Sequence, residues 1–229
     1  MTREEELGVS LSALRRRIAA ACRAAGRSPD DVVLVAVTKG WPASDVAVLR
    51  GLGVTDMGEN RDGEAAAKAA AVPGVRWHFV GAVQTNKARS VSSYAHVVHS
   101  VDRPGLVRAL GDGARRAGRE VDVLLQLSLD GDPGRSGVAR GGLGDLAAVV
   151  AGEAGLRLAG LMAVAPVGVD PAAAFAEVAA AAADLRRDHP SAVVVSAGMS
   201  ADLEQAITTG ATHVRVGTAL LGPRRAPLR

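Results

Sequence analysis

The sequence predicts a single α/β domain built as a (β/α)8 barrel of the TIM type, with an extra helix ahead of the first strand. Three observations carry this. Eight short apolar runs alternate with helix-like stretches through all 229 residues, a pattern that calls for a parallel sheet with helical crossovers. Each unit takes about 28 residues, the lean end for a closed barrel. The polar residues that interrupt the runs fall at the C-terminal ends of the strands, the face on which such barrels carry their chemistry. An open doubly wound sheet would need a glycine-rich first turn for a dinucleotide, and Lys39-Gly40-Trp41-Pro42 is not one.

The opening helix, about 5–25, shows Leu11, Leu14, Ile18, Ala21 and Cys22 at helical spacing. Strands are expected at 32–39, 54–60, 76–81, 96–101, 121–129, 158–165, 192–198 and 213–218, each a short run rich in apolar and β-branched residues. Helices are expected at 44–52, 62–71, 104–117, 144–153, 171–187 and 202–209, and Tyr94 falls in a helix-like segment before the fourth strand. The alanine run 179–183 reads as helix interior, because alanine has the highest helix propensity. No linker or second domain interrupts the pattern, so 1–229 reads as one domain with a short loose tail at 223–229.

Hydrophobic residues make up 48% and charged residues 22%, ordinary values for a globular chain. The aromatic fraction of 2% leaves no stacking platforms for single-stranded nucleic acid, and a net charge of +3 marks no concentrated basic face. Nucleic acid is therefore not an expected partner. The lone Cys22 excludes an internal disulfide and a cysteine metal cluster, and its place on the helical stripe reads as a small buried hydrophobe. His96, His99, His189 and His213 lack metal-ligand spacing near carboxylates, so no metal site is expected. His78 reads as a hydrogen-bonded core residue. The acidic start, Glu4-Glu5-Glu6, is not followed by an apolar signal core, and no stretch approaches the ~18 apolar residues of a membrane span. The expectation is a cytoplasmic protein, a monomer or weak homodimer, with no membrane partner.

Of 27 basic residues only Lys39, Lys68 and Lys87 are lysines. Lys39 ends the run Val32-Val33-Leu34-Val35-Ala36-Val37-Thr38. Desolvation there opposes its charge and favours a neutral amine able to form an imine with an aldehyde. Lys68 and Lys87 lie in stretches that read as solvated helix. Other strand ends carry Gly58-Glu59-Asn60, His78, Gly81, Ser128, Met162, Ser196 and Arg215. Glu59 could act as a general base, orient Asn60 or pair with an arginine. Met162 and Met199 read as packing residues.

The last two units add a second clue. Ser196-Ala197-Gly198-Met199-Ser200 precedes a helix, and Val214-Arg215-Val216-Gly217-Thr218 enters the final turn. Loops after strands seven and eight are the usual phosphate cradle of these barrels, where glycines admit an anion to backbone N–H groups. A phosphate cradle opposite a strand-end lysine points to an aldehyde that also bears a phosphate, and pyridoxal 5′-phosphate is such a molecule. Arg215 would then meet the pyridine nitrogen as a donor. A guanidinium does not give up its proton, so the ring would stay unprotonated and carbanion chemistry would be weakly supported.

With these residues on the page, the chain resembles the pyridoxal-phosphate homeostasis protein family, relatives of the N-terminal barrel of alanine racemase. The resemblance runs from Val32 to Gly222. It rests on Val35-Ala36-Val37-Thr38-Lys39; Gly58-Glu59-Asn60; Trp77-His78-Phe79-Val80-Gly81 with Gln84 and Asn86-Lys87; Gly160-Leu161-Met162; Gly198-Met199-Ser200 with Asp202; and Val214-Arg215-Val216-Gly217-Thr218. It implies one barrel without the racemases' C-terminal β-domain and a cofactor held as an aldimine on Lys39. It also implies phosphate contacts from Ser200, Gly217 and Thr218, Arg215 at the pyridine nitrogen, and Asn60 beside the ring. The implied role is a cofactor carrier or buffer without catalytic turnover, serving apo enzymes that use pyridoxal phosphate. Two rival readings share the site: a small amino-acid racemase, which needs a second base, and a lysine-imine aldolase of a sugar phosphate. The chain departs from the family where Arg61-Asp62 replaces an aromatic, and at Ser128, Arg135 and Ala197. Arg61 and Arg135 would alter the pocket rim.

Overall fold

The first helix, α1 (Arg3–Ala24), starts at Thr2 because two otherwise unpaired N–H groups are capped there. Thr2 Oγ1 accepts from the Glu5 N–H at 3.2 Å, and the Thr2 N–H donates to the Glu5 carboxylate at 2.7 Å. Leu7, Leu11, Leu14, Ile18 and Cys22 recur along one face and are buried. Each large side chain so buried contributes about 1.5–3 kcal/mol. This computed structural model of the protein describes residues 1–131 and 136–223.

The sheet is a closed barrel of eight parallel strands in sequence order: β1 (Val33–Val37), β2 (Asp56–Glu59), β3 (Arg76–Phe79), β4 (Val97–Val101), β5 (Val121–Gln126), β6 (Leu156–Met162), β7 (Val194–Ser196) and β8 (His213–Val216). Closure is made by β8 against β1, with Arg215 opposite Val35. The strands are shorter than the apolar runs that predict them. Past the end of β1 the Thr38 N–H still bonds the Gly58 carbonyl at 2.9 Å, and the next residue, Lys39, reaches the mouth.

Helices α2 (Ala43–Gly51), α3 (Asp62–Ala71), α5 (Pro104–Arg116), α6 (Leu143–Ala151), α7 (Pro171–Asp188) and α8 (Leu203–Thr208) fall where the periodicity places them. Between β3 and β4 a 3-10 turn (Thr85–Lys87) runs into α4 (Ala88–Tyr94), and α9 (Thr218–Leu221) follows β8. Among the described residues no helix is long and apolar enough to cross a membrane.

Alternation along each strand divides the core. Two large apolar clusters mix strand and helix residues and so lie between sheet and helices. A small one, Val97, Leu124, Ala159 and Met162, holds strand residues alone and fills the barrel interior. Polar residues share the interior: His78, His99, Ser196 and Arg215 are all buried on inward positions.

Gly160 is the tightest point of the wall. Its φ of +153° accompanies a register shift between β5 and β6, and a Cβ there would stand 1.9 Å from the Val194 carbonyl oxygen. Gly160→Ala is expected to cost about 3 kcal/mol or more through overpacking and backbone strain. An unchanged denaturant midpoint would contradict this.

Burial pushes the pKa of His78, His99 and His213 below the ordinary histidine value, His213 to about 4. Each therefore binds a proton more readily in the unfolded chain. By linkage, stability rises with pH between the folded and unfolded values, for His213 from about 4 to about 6.5. Asp56, held below the carboxylate range chiefly by the His78 hydrogen bond against the opposing effect of burial, acts in the same direction at lower pH. The melting temperature should climb across that window, and a flat profile would refute the assignment.

Candidate functional site

The site begins with parity on β1. Val35 and Val37 face inward and Ala36 faces the helices, so Thr38 turns outward and Lys39 inward. Lys39 is half-buried and lines a cleft of about 400 Å3 at the C-terminal ends of the strands. Ser200, Arg215, Gly217 and Thr218 line the same cleft, so the barrel brings five of the six singled-out residues together. Asn60, the sixth, does not line it. It is half-buried just past β2 and backs Gly81, where a Cβ would stand 2.7 Å from the Asn60 Cβ.

The backbone on both sides of Lys39 is held from α3. Lys68 Nζ donates to the Thr38 carbonyl at 2.8 Å, and the Gly40 N–H donates to Glu64 Oε1 at 2.6 Å. Lys68 also pairs with Glu59 at 2.6 Å and Glu64 at 2.7 Å, while the Thr38 hydroxyl donates to Glu59 at 2.6 Å. This corrects the reading of Lys68 as solvated helix: the residue is 4% exposed. The outward parity of Glu59 on β2 places a carboxylate under α3, and a buried carboxylate requires a buried cation. Glu59 thus pairs with a lysine and not an arginine. Its second oxygen, Oε2, is buried without a partner among the described residues, and burial pushes the carboxyl above its ordinary pKa despite Lys68 and Thr38. Lys87 is exposed, as expected, 3.9 Å from Asp62.

Arg215 enters the cleft from β8 and is 6% exposed. Its Nη1 donates to the carbonyl and hydroxyl oxygens of Ser196, both at 2.8 Å, and Nη2 to the Ala163 carbonyl at 2.9 Å. Three of its five N–H donors are so engaged. Burial lowers its pKa to about 10, opposed by the Asp202 charge, so the group stays cationic at neutral pH.

The loop after β7 is shaped by Gly198, at φ +86°, where a Cβ would meet the Ala206 Cβ at 2.5 Å. The turn brings Ser200 to the start of α9, where its hydroxyl accepts from the Ala219 N–H at 3.2 Å. Gly217 passes close to β1, with room for a Cβ only 3.3 Å from the Val37 carbonyl oxygen. Among the described residues two cations and two hydroxyls line the cleft, and no carboxylate does. Such a donor set suits an anionic ligand carrying an electrophilic carbonyl.

Other positions fall outside this arrangement. Met162 is buried in the interior, whereas Met199 is 39% exposed on the cleft rim, a correction to its reading as packing. Met199 lies past the end of β7, on the turn that reaches the solvent edge. Ser128 lies beyond β5 in a neighbouring cavity of about 260 Å3. Arg61 is exposed ahead of α3, and Arg135 lies outside the described residues. The Tyr94 hydroxyl bonds Asp62 at 3.3 Å and lines a different concavity with Arg76 and His96, away from Lys39. That concavity is larger, about 750 Å3, but it lacks the convergence of strand C-termini that marks a barrel site.

The comparisons agree with the barrel fold. The profile of the alanine racemase, N-terminal domain family matches residues 9–225. A protein of Mycobacterium tuberculosis named pyridoxal phosphate homeostasis protein is 44% identical over 97% of this chain and 95% of its own. This chain belongs to the pyridoxal phosphate homeostasis protein family. An Escherichia coli member is 35% identical over 96% of this chain and 97% of its own. The solved structure of the Synechococcus elongatus member PipY with PLP bound is 33% identical, with a TM-score of 0.80, covering 94% of this chain and all of that one. An alanine racemase of Clostridium difficile, 12% identical with a TM-score of 0.75 over 94% of this chain and 56% of its own, shares the barrel fold.

The family motifs show why sequence reading found part of the site. Lys39, Arg215 and the two loops interrupt apolar strands and stand out. The bond from Arg215 to Ser196 and the hold of Lys68 on the Thr38 carbonyl carried no such signal. The one available hint was the Glu64–Lys68 spacing of four, which marks a helix-face pair and says nothing of depth.

Proposed function

We propose that this protein binds pyridoxal 5′-phosphate in the cleft and serves as a carrier or buffer of that cofactor. The observation that carries the reading is the cleft itself: the Lys39 amine, the buried Arg215 cation and the Ser200 and Thr218 hydroxyls converge with no opposing carboxylate among the described residues. PipY, a member of the same family, is known with PLP bound.

In this reading Lys39 captures the aldehyde. Ser200, Gly217 and Thr218 receive the phosphate, Arg215 donates to the pyridine nitrogen, and Asn60 stands beside the ring. The cofactor, when bound, supplies an electron-withdrawing ring, which is weak here because Arg215 leaves the nitrogen unprotonated. A racemase would also need a second base facing Lys39. Tyr94 is committed to Asp62 outside the cleft, and its pKa is raised by burial. Cys22 is buried in α1. Both observations favour storage over turnover. Apo enzymes that use the cofactor are the proposed recipients.

Titration of the purified protein with pyridoxal phosphate, followed by visible absorbance, tests binding. A saturable new band at one equivalent is expected, and its absence would reject the reading. Incubation of the loaded protein with an apo-transaminase, compared with free-solution exchange, tests delivery.

A further inference from the structure

A continuous hydrogen-bonded row crosses the barrel interior from Arg215 at the mouth to Asp56 at the opposite end. Ser196 Oγ lies 2.8 Å from Arg215 Nη1 and 3.0 Å from His99 Nδ1. His99 Nε2 lies 2.9 Å from His78 Nδ1, and His78 Nε2 lies 2.8 Å from Asp56 Oδ1. His78, His99, Ser196 and Arg215 are each at most 6% exposed. Five strands supply the row: Asp56 comes from β2, His78 from β3, His99 from β4, Ser196 from β7 and Arg215 from β8.

The two ends fix every proton between them. Arg215 can only donate, so Ser196 Oγ accepts from it; that oxygen has a second lone pair, so the direction of its own O–H is set from the Asp56 end, which leaves His99 Nδ1 to accept it. Asp56, ionised, can only accept, so His78 carries its proton on Nε2 and offers a bare Nδ1. His99 must then donate from Nε2 and accept at Nδ1. Both rings are neutral in this arrangement, in keeping with their lowered pKa values. The charged and titratable groups around the pair are Asp56, Arg76 and Asp122 at the lower end, His96 and His213 beside it, and Arg215 above.

We propose that Ser196, His99 and His78 are positioning residues that hold Arg215 in one orientation through a one-directional hydrogen-bond chain terminated by Asp56. The chain opposes turning of the guanidinium and commits one of its donors to Ser196 Oγ, beside the two held by the Ser196 and Ala163 carbonyls. It also links a buried cation to a carboxylate that lies well outside the binding site. The histidines act here as fixed neutral connectors and exchange no proton with a ligand. The proposal rests on the reading of Arg215 as a donor to the cofactor ring, and its first test does not.

Nitrogen-15 NMR of the imidazole rings in the cofactor-free full-length protein reads the tautomers directly. His78 and His99 should both be neutral with the proton on Nε2, unchanged between about pH 5 and 8. A proton on Nδ1 of either ring, or titration of either ring in that range, would overturn the chain. The second test is Ser196→Ala, which removes the hydroxyl and keeps the backbone carbonyl. Cofactor affinity should fall at least about tenfold and the bound absorbance band should shift, while reduction by borohydride still places the adduct on Lys39. Uptake by the wild type with an unaffected Ser196→Ala protein would sink the positioning role alone. No uptake by the wild type would sink the cofactor reading with it.

Discussion

Lys39→Ala is expected to lose the visible band completely when the protein is mixed with pyridoxal phosphate, and to weaken cofactor binding by several hundredfold. The alanine removes the cleft amine but leaves Ser200, Gly217 and Thr218 to receive the phosphate and Arg215 to meet the ring nitrogen. Residual affinity should therefore be salt-dependent and non-covalent, worth roughly the charge-assisted hydrogen bonds alone. The fold should be untouched, because Lys39 makes no hydrogen bond or ion pair with the described protein and is half-buried. A Lys39→Ala protein that retains the band would mean that the electrophile is captured elsewhere.

Lys68→Met is expected to be the most damaging change to stability near the site. Methionine fills the space, yet Glu59 is then left 1% exposed with no cation. Removing one partner of a buried pair costs about 3–5 kcal/mol, a fall of about 10 °C or more in melting temperature for a chain this size. The Thr38 carbonyl also loses its donor, so the backbone ahead of Lys39 is released. The double variant Lys68→Met/Glu59→Gln should recover part of the loss, because it removes the stranded carboxylate. Melting curves of the two variants decide the matter: a single variant as stable as the wild type would show that the pair carries no such burden.

The barrel was legible because its pattern is repetitive. Eight apolar runs with helices between them admit few other sheets, and each helix from α5 to α8 lies within a few residues of its periodic stretch. The α4 segment was faint, since Ser90, Ser92 and Ser93 give it little helical preference. Lys39 and Arg215 were legible because a long cation inside an apolar strand is rare enough to ask for a reason.

Lys68 was hidden by its surroundings. In the alanine-rich α3 an i,i+4 Glu64–Lys68 pair looks like any exposed helix face, and only the register of β2 shows that Glu59 lies beneath it. The His78–His99 contact was hidden for a similar reason. The two residues sit on neighbouring strands 21 positions apart, and their meeting depends on the stagger with which β3 pairs β4. Spacing along a chain cannot supply that stagger, whereas a closed barrel fixes it.

Peptide mapping by mass spectrometry after borohydride reduction of the loaded protein tests the central claim most directly. The account predicts a single pyridoxyl adduct, on Lys39. An adduct on Lys68 or Lys87, or no adduct at all, would contradict it.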